Sequence, residues 1–391
     1  MDLTELILAN DDIESAICST FFDDSDSSSS SDDEYLLLGK CIIESRVTKY
    51  DRPIDHMNDV KNYSDEDFIR SFRVNRKTAF KLIEGFKNSD IYERLIKRAN
   101  SRLWTITAEK TILLFLWFAG HQNQAYRDIT KKFNINPGTL FRVISDVSRY
   151  LNSIADEIIK WPNKEQQYST KTHYLTNKGF PNVVGCIGNV SISITKPLDD
   201  FIHIWDSDEQ FRFILQAVCN EQKKFIDIFV SSPGVTETSV IFNKSLVCER
   251  LNENDNKDSL LITSNFYYPL LKNLMAPYVG NEKTFSSQQV HFNKKLIECC
   301  SDLDNTFILL KRRFKQLHHV KLRDPTRNVN FIRACCVLHN IADEEDHIYF
   351  QGEECVEDNL TTPAEAAEEI FLSSEGSLIR EKICKNIYNS I

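Results

Sequence analysis

No stretch of this 391-residue sequence is apolar for long enough to cross a bilayer. The longest run, Thr111 to Gly120, is about half of the ~20 residues that a helical span requires. Residues 1 to 20 lack a basic segment and carry Asp2, Glu5, Asp11, Asp12 and Glu14, which is not the pattern of a secretory signal. These shortages predict a soluble, intracellular protein. No Cys-x-x-Cys occurs, and the eleven cysteines are scattered apart from Cys299-Cys300 and Cys335-Cys336. Zinc sites need ligands at a paired spacing, and neighbouring residues on a helix point in different directions. The cysteines are therefore expected to be small buried hydrophobes in a reducing compartment. A Gly-rich phosphate loop and a nucleophile elbow are missing too, which removes support for nucleotide binding and acyl transfer. One shortage is local: from Gln166 to Leu198 there is neither Asp nor Glu.

Charge is plentiful elsewhere. The net charge is −10, which argues against the whole chain being a nucleic-acid binder. The hydrophobic share of 41% fits a globular core with polar tails. Asp23-Asp24-Ser25-Asp26, Ser27 to Ser31 and Asp32-Asp33-Glu34 form an acidic serine tract. Such a run cannot bury a core, so it is expected to be disordered, and its serines are candidates for phosphorylation. Residues 1–62 read as tail and linker, with a short helix near Leu6 to Ile13. Residues 63–160 read as a helical domain. Ser64-Asp65-Glu66-Asp67 resembles a capping box, a second helix covers Arg76 to Phe86, and Thr107 starts an apolar helix that stops at Gly120. Residues 125–151 read as a helix-turn-helix: Ala125 to Phe133, the turn Asn134-Ile135-Asn136, then a helix opened by Pro137-Gly138-Thr139. This stretch holds five basic and two acidic residues, a net +3 in an acidic chain. Arg127, Lys131, Lys132, Thr139, Arg142 and Arg149 are the candidate DNA contacts, because a recognition helix needs cations beside its apolar stripe. A scaffold that only packs is the alternative.

From residue 181 the pattern becomes strand-rich. Val183 to Ile187 and Val190 to Thr195 read as two strand halves, with a bulge or tight turn at Gly188-Asn189. Further strands are expected at 212–219, 225–231 and 260–263. Helices are expected at Thr238 to Leu251, 266–275, 303–318 and 326–343, with a polar loop at Asn252 to Asp258. Strands followed by helices predict an α/β (α+β) domain over 161–345, RNase H-like, with a mixed sheet and flanking helices behind the all-α helix-turn-helix domain. Residues 346–391 read as an acidic tail with a weak helix near Pro363 to Leu372. Lys311-Arg312-Arg313, with Lys315, Lys321 and Arg323, is the densest basic cluster, a candidate DNA contact or import signal. His318-His319 and His339 fall on helical stretches, and His339 is expected in the core.

Gly185-Cys186-Ile187-Gly188-Asn189-Val190-Ser191-Ile192 resembles the Gly-Cys-Ile-Asp-Gly-Thr-His-Ile signature of PIF/Harbinger transposases and the nuclease-like proteins domesticated from them. Gln216 to Asn220, Phe225-Ile226-Asp227, Pro233-Gly234, Tyr268-Pro269-Leu270, Leu274 to Tyr278, Phe307 to Phe314 and Ala334 to Ile341 follow in the family's order. The resemblance spans roughly residues 65 to 345 and implies a DDE-type domain that holds two divalent metals with Asp, Asp and Glu. Those three positions fall on Gly188, Asn265 and Asp304, and an accessory His-Asp pair falls on Glu237 and Thr238. The matching leaves no catalytic residue to name and Asp304 as the one candidate metal ligand. Two-metal phosphodiester hydrolysis needs several convergent carboxylates. The expectation is thus a degenerate site with no cofactor, in a nuclear DNA- or protein-binding factor that is also at home in the cytoplasm. The resemblance implies a Myb-like partner. The alternatives are a Mg2+- or Mn2+-dependent endonuclease that recruits Asp199, Asp200, Asp206, Asp208, Asp227 or Glu237, and an interaction module without DNA affinity.

Overall fold

The computed structural model describes residues 56–99, 106–197, 211–252, 259–342, 346, 349–350 and 373–389. The acidic serine tract, the Leu6 to Ile13 helix, loop residues 253–258 and the Pro363 to Leu372 helix lie outside the described residues. The chain divides into two compact units, Met1–Tyr150 and Leu151–Ile391.

The first unit is helical. Helix α1 (Asp65–Phe72) starts where the Ser64 side chain accepts the Asp67 N–H, and α2 (Arg76–Lys87) where Asn75 accepts from Thr78. These caps satisfy amides that no helical carbonyl can reach. Helix α3 (Asp90–Ala99) follows, then α4 (Ala108–Gly120), capped by Thr107 and buried from Thr111 to Gly120. Helices α5 (Tyr126–Lys132) and α6 (Pro137–Ser153) complete it. Phe72, Phe86, Phe115, Phe118 and Phe133 are fully buried at its centre. The expected start at 63 is too late. His56 is 5% exposed, its N–H donates to the Lys132 carbonyl at 3.2 Å, and its ring sits edge-on to Trp117 and Phe133. The expected end at 160 is also late, since Asn152 already bonds Asn330 of the second unit.

In the second unit, helix α7 (Lys164–His173) runs into a π-turn (Tyr174–Lys178) and then strand β1 (Val183–Ile194). Next come β2 (Arg212–Cys219), β3 (Phe225–Val230), α8 (Thr238–Lys244), α9 (Leu246–Asn252), β4 (Leu260–Ile262) and β5 (Leu274–Met275). The chain continues with α10 (Ser287–Arg313), β6 (His319–Val320), α11 (Pro325–Ile341) and α12 (Ser374–Asn389). The sheet order is β3-β2-β1-β4-β5, with β6 also on β1. β1–β2 and β2–β3 are antiparallel, whereas β4, β5 and β6 join in parallel. This mixed sheet with flanking helices is the expected RNase H-like arrangement.

Four local expectations are corrected. β1 runs unbroken through Gly188 and Asn189, because it pairs residue for residue with β2 from Cys186↔Cys219 to Ser193↔Arg212. Residues 266–275 are not a helix: the Asn265 side chain accepts the Tyr267 N–H to form a turn, and Leu274 and Met275 pair with Leu261 and Ile262. The single helix expected over Thr238 to Leu251 is two, separated by an extended Ser245. The region after residue 345 is not only a tail. In α12, Arg380 donates to the Ala276 and Pro277 carbonyls and stacks 4.0 Å over Tyr278.

Candidate functional site

β1 is the central strand, and its side chains alternate between the two faces of the sheet. On one face Cys186 lies against α10, its thiol bonded to the Cys299 carbonyl. Gly188 shares that face: a Cβ there would sit 2.9 Å from Cδ2 of Leu303, a buried residue of α10. On the other face Asn189 is partly buried and is the register partner of Gln216 on β2. The Asn265 amide donates to Asn189 Oδ1 at 3.1 Å, and the Asn189 amide donates to Thr238 Oγ1 at 3.1 Å. Gln216 accepts from the Tyr268 hydroxyl at 3.1 Å, and its own buried amide N–H has no acceptor among the described residues. The side chains converging here are neutral amides and two hydroxyls, and the one buried group among them lacking a partner is a donor.

That donor set does not fit the two divalent metals implied by the family. A hard cation wants oxygen ligands, at least one or two of them carboxylates. Gly188 and Asn265 supply none, and they serve opposite faces of β1. Asp304 is exposed on α10, one residue beyond Leu303, and bonds no described residue; desolvation still pushes its carboxyl above the ordinary range. No group of three or more His, Cys, Asp or Glu among the described residues is placed to hold a metal.

The proposed surrogate acids do not gather either. Asp199, Asp200, Asp206 and Asp208 lie outside the described residues. Asp227 is buried on β3 in a 2.6 Å ion pair with Arg250; desolvation pushes it up to about 6, against the opposing pull of Arg250 and Arg333. Glu237 is an exposed residue at the start of α8. Cys186, Cys219, Cys299, Cys300, Cys335, Cys336 and Cys384 are buried and unbridged, as expected. His339 is fully buried with Nε2 on the Lys223 carbonyl, 2.9 Å away, also as expected.

The candidate DNA contacts separate into two groups. Arg127, Lys131, Arg142 and Arg149 are exposed on α5 and α6, and Arg149 pairs with Asp146 at 3.0 Å. Thr139 is partly buried in the first turn of α6, where its N–H bonds Asn136. Lys132 is half-buried: it lies 4.4 Å over the Trp117 ring, and desolvation lowers its pKa. The 311–313 cluster is a correction. Lys311 is 6% exposed and donates to the Ser191 carbonyl at 3.1 Å. Arg313 is 1% exposed beneath Phe350; desolvation lowers its pKa to about 10, and the nearby Asp346 opposes the shift. Only Arg312 is partly open. The helical frame turns two of the three cations inward, toward partners remote in sequence. Asn189 and Leu303 were missed for the same reason, since nothing local marks either one.

The mixed sheet, the helix that carries Asp304 and the ordered motifs are similar to those of a nuclease-like domain of the DDE superfamily. Residues 192–340 match the family described as DDE superfamily endonuclease, a span that opens just after Gly188. Protein ALP1-like of Arabidopsis thaliana is 26% identical over 295 residues, 71% of each chain. Putative nuclease HARBI1 of Bos taurus is 23% identical over 251 residues, 63% of this chain and 70% of its own. The human protein of that name is 22% identical over the same length. No solved structure matches the chain. Residues 192–340 thus carry the match to the DDE superfamily, and the chain as a whole is similar to proteins named ALP1-like and putative nuclease HARBI1. Among the described residues, no helix is long and apolar enough to cross a membrane.

Proposed function

We propose that this chain is a domesticated Harbinger-type protein without nuclease chemistry, acting in the nucleus as a DNA- and protein-binding factor. The reading is carried by the Asn265–Asn189–Thr238 chain of hydrogen bonds, in which Asn265 and Thr238, two positions where the family resemblance implies acids, are neutral and already paired through Asn189. Asp304 alone supplies too little charge to hold a pair of divalent ions. DNA contact is assigned to Lys131, Arg142 and Arg127 on α5 and α6, where exposed cations flank a helix of suitable length for a major groove. A Myb-like partner is the proposed protein contact, on the strength of the family resemblance.

The relatives named as nucleases favour the rival reading, an active endonuclease. Calorimetric titration with Mn2+ and a plasmid-nicking assay with and without EDTA separate the two. The proposal expects neither binding nor nicking. Micromolar Mn2+ binding lost in Asp304→Ala, or EDTA-sensitive nicking, overturns it. For DNA, a gel shift across a salt series should weaken uniformly over sequences in Arg142→Ala and Lys131→Ala, with a shallower salt slope. Unchanged retardation in both variants removes the helical unit as the DNA contact.

A further inference from the structure

We infer that the metal pocket of this fold is closed here from both faces of β1, by an interlocked Gly188–Leu303 pair on one face and the neutral amide chain on the other, so that restoring the two missing acids does not restore a metal site. The inference rests on the non-cleaving reading above and says what enforces it.

Consider the first face. The distance from a Cβ at residue 188 to Leu303 Cδ2, 2.9 Å, is closer than carbon atoms pack. Leu303 is 3% exposed, so its terminal methyl group must shift within the core to admit a side chain at 188. An aspartate at 188 would bring its carboxylate against the buried Leu303 methyl of α10 and take it out of water. On the second face, all four side-chain polar atoms of Asn189 and Asn265 are engaged. Asn265 Oδ1 accepts the Tyr267 N–H at 2.9 Å, its amide donates to Asn189 Oδ1, and the Asn189 amide donates to Thr238. An aspartate at 265 keeps the Tyr267 bond, but its other oxygen cannot donate to Asn189 Oδ1, so the Asn189 amide must turn over and the Asn189–Thr238 bond must reverse. Residues 188 and 265 also serve opposite faces, so acids placed at both would diverge across the strand instead of converging on one ion.

The test is a thermal-unfolding cycle on the full chain: wild type, Gly188→Asp, Leu303→Ala and their combination, each in EDTA and in Mn2+, with Gly188→Asp/Asn265→Asp alongside. Gly188→Asp should melt at least about 3 °C lower, the usual scale for overpacking a core in a unit of this size. Adding Leu303→Ala should recover part of that loss, so that the combined shift is smaller than the sum of the two single shifts. Gly188→Asp/Asn265→Asp should show no rise in melting temperature with Mn2+. Strict additivity in the cycle, or a Mn2+-dependent rise in that double variant while Leu303 and Asn189 stand intact, overturns the inference. If the double variant does not fold, the Gly188–Leu303 cycle decides alone. A Mn2+-dependent rise in the wild type is a different failure: it removes the non-cleaving reading whatever the cycle gives.

Discussion

β3 lies at the edge of the sheet, and Asn340 of α11 does part of the work that a neighbouring strand would do. Its Oδ1 accepts the Phe225 N–H at 2.9 Å and its amide donates to the Phe225 carbonyl at 2.7 Å, so one side chain pairs both backbone groups of a residue that is 1% exposed. Lys224 adds bonds to the Asn340 and Ala342 carbonyls, each 2.8 Å, at the end of α11. Asn340→Ala removes both partners of Phe225 and leaves two buried backbone groups unpaired. Each such group costs about 1–3 kcal/mol, so the expected loss is about 2–4 kcal/mol after local relaxation. That is a large share of the 5–15 kcal/mol typical of a domain. Urea unfolding followed by circular dichroism measures the loss, and hydrogen exchange at the Phe225 amide locates it. Asn340→Asp keeps the acceptor for Phe225 N–H but sets an anion against its carbonyl, and should fall no less than the alanine variant. A loss under about 0.5 kcal/mol in Asn340→Ala, or unchanged Phe225 exchange, refutes the pairing argument.

Asp227, pushed up to about 6 from an ordinary 3.8, binds its proton more tightly folded than unfolded. Its contribution to stability is therefore complete below the ordinary value and is lost as pH rises through about 6. Relative to Asp227→Asn, the wild type should lose about 1 kcal/mol between pH 5 and pH 7; urea midpoints that keep a constant gap contradict this. Gly376→Ala places its Cβ 2.9 Å from the Leu271 carbonyl carbon and 3.0 Å from its oxygen, backbone atoms that cannot rotate aside. Alanine ordinarily favours a helix over glycine by about 1 kcal/mol, yet here a loss of about 1–3 kcal/mol is expected. A stabilised variant in a melting experiment would show that α12 is not seated against residues 270–271.

Local chemistry determined much of this protein without help from the fold. Ser64, Asn75 and Thr107 mark their helix starts because a cap is an interaction within four residues. The alternation in 190–194 marks a strand, and the absence of acid from Gln166 to Leu198 holds whatever the register. The ordered motifs were enough to indicate the family. Three matters were decided by contacts between residues remote in sequence. Pairing with β2 draws Gly188 and Asn189 into one strand, although glycine and asparagine together favour a turn. The long helix α10 buries Lys311 and Arg313 against Ser191 and Asp346, so a basic run that looks open to DNA is largely interior. Above all, only packing could set Leu303 against Gly188 and Asn265 against Asn189, because the volume beside a missing side chain and the acceptor for an amide are supplied by segments that meet only when the sheet closes.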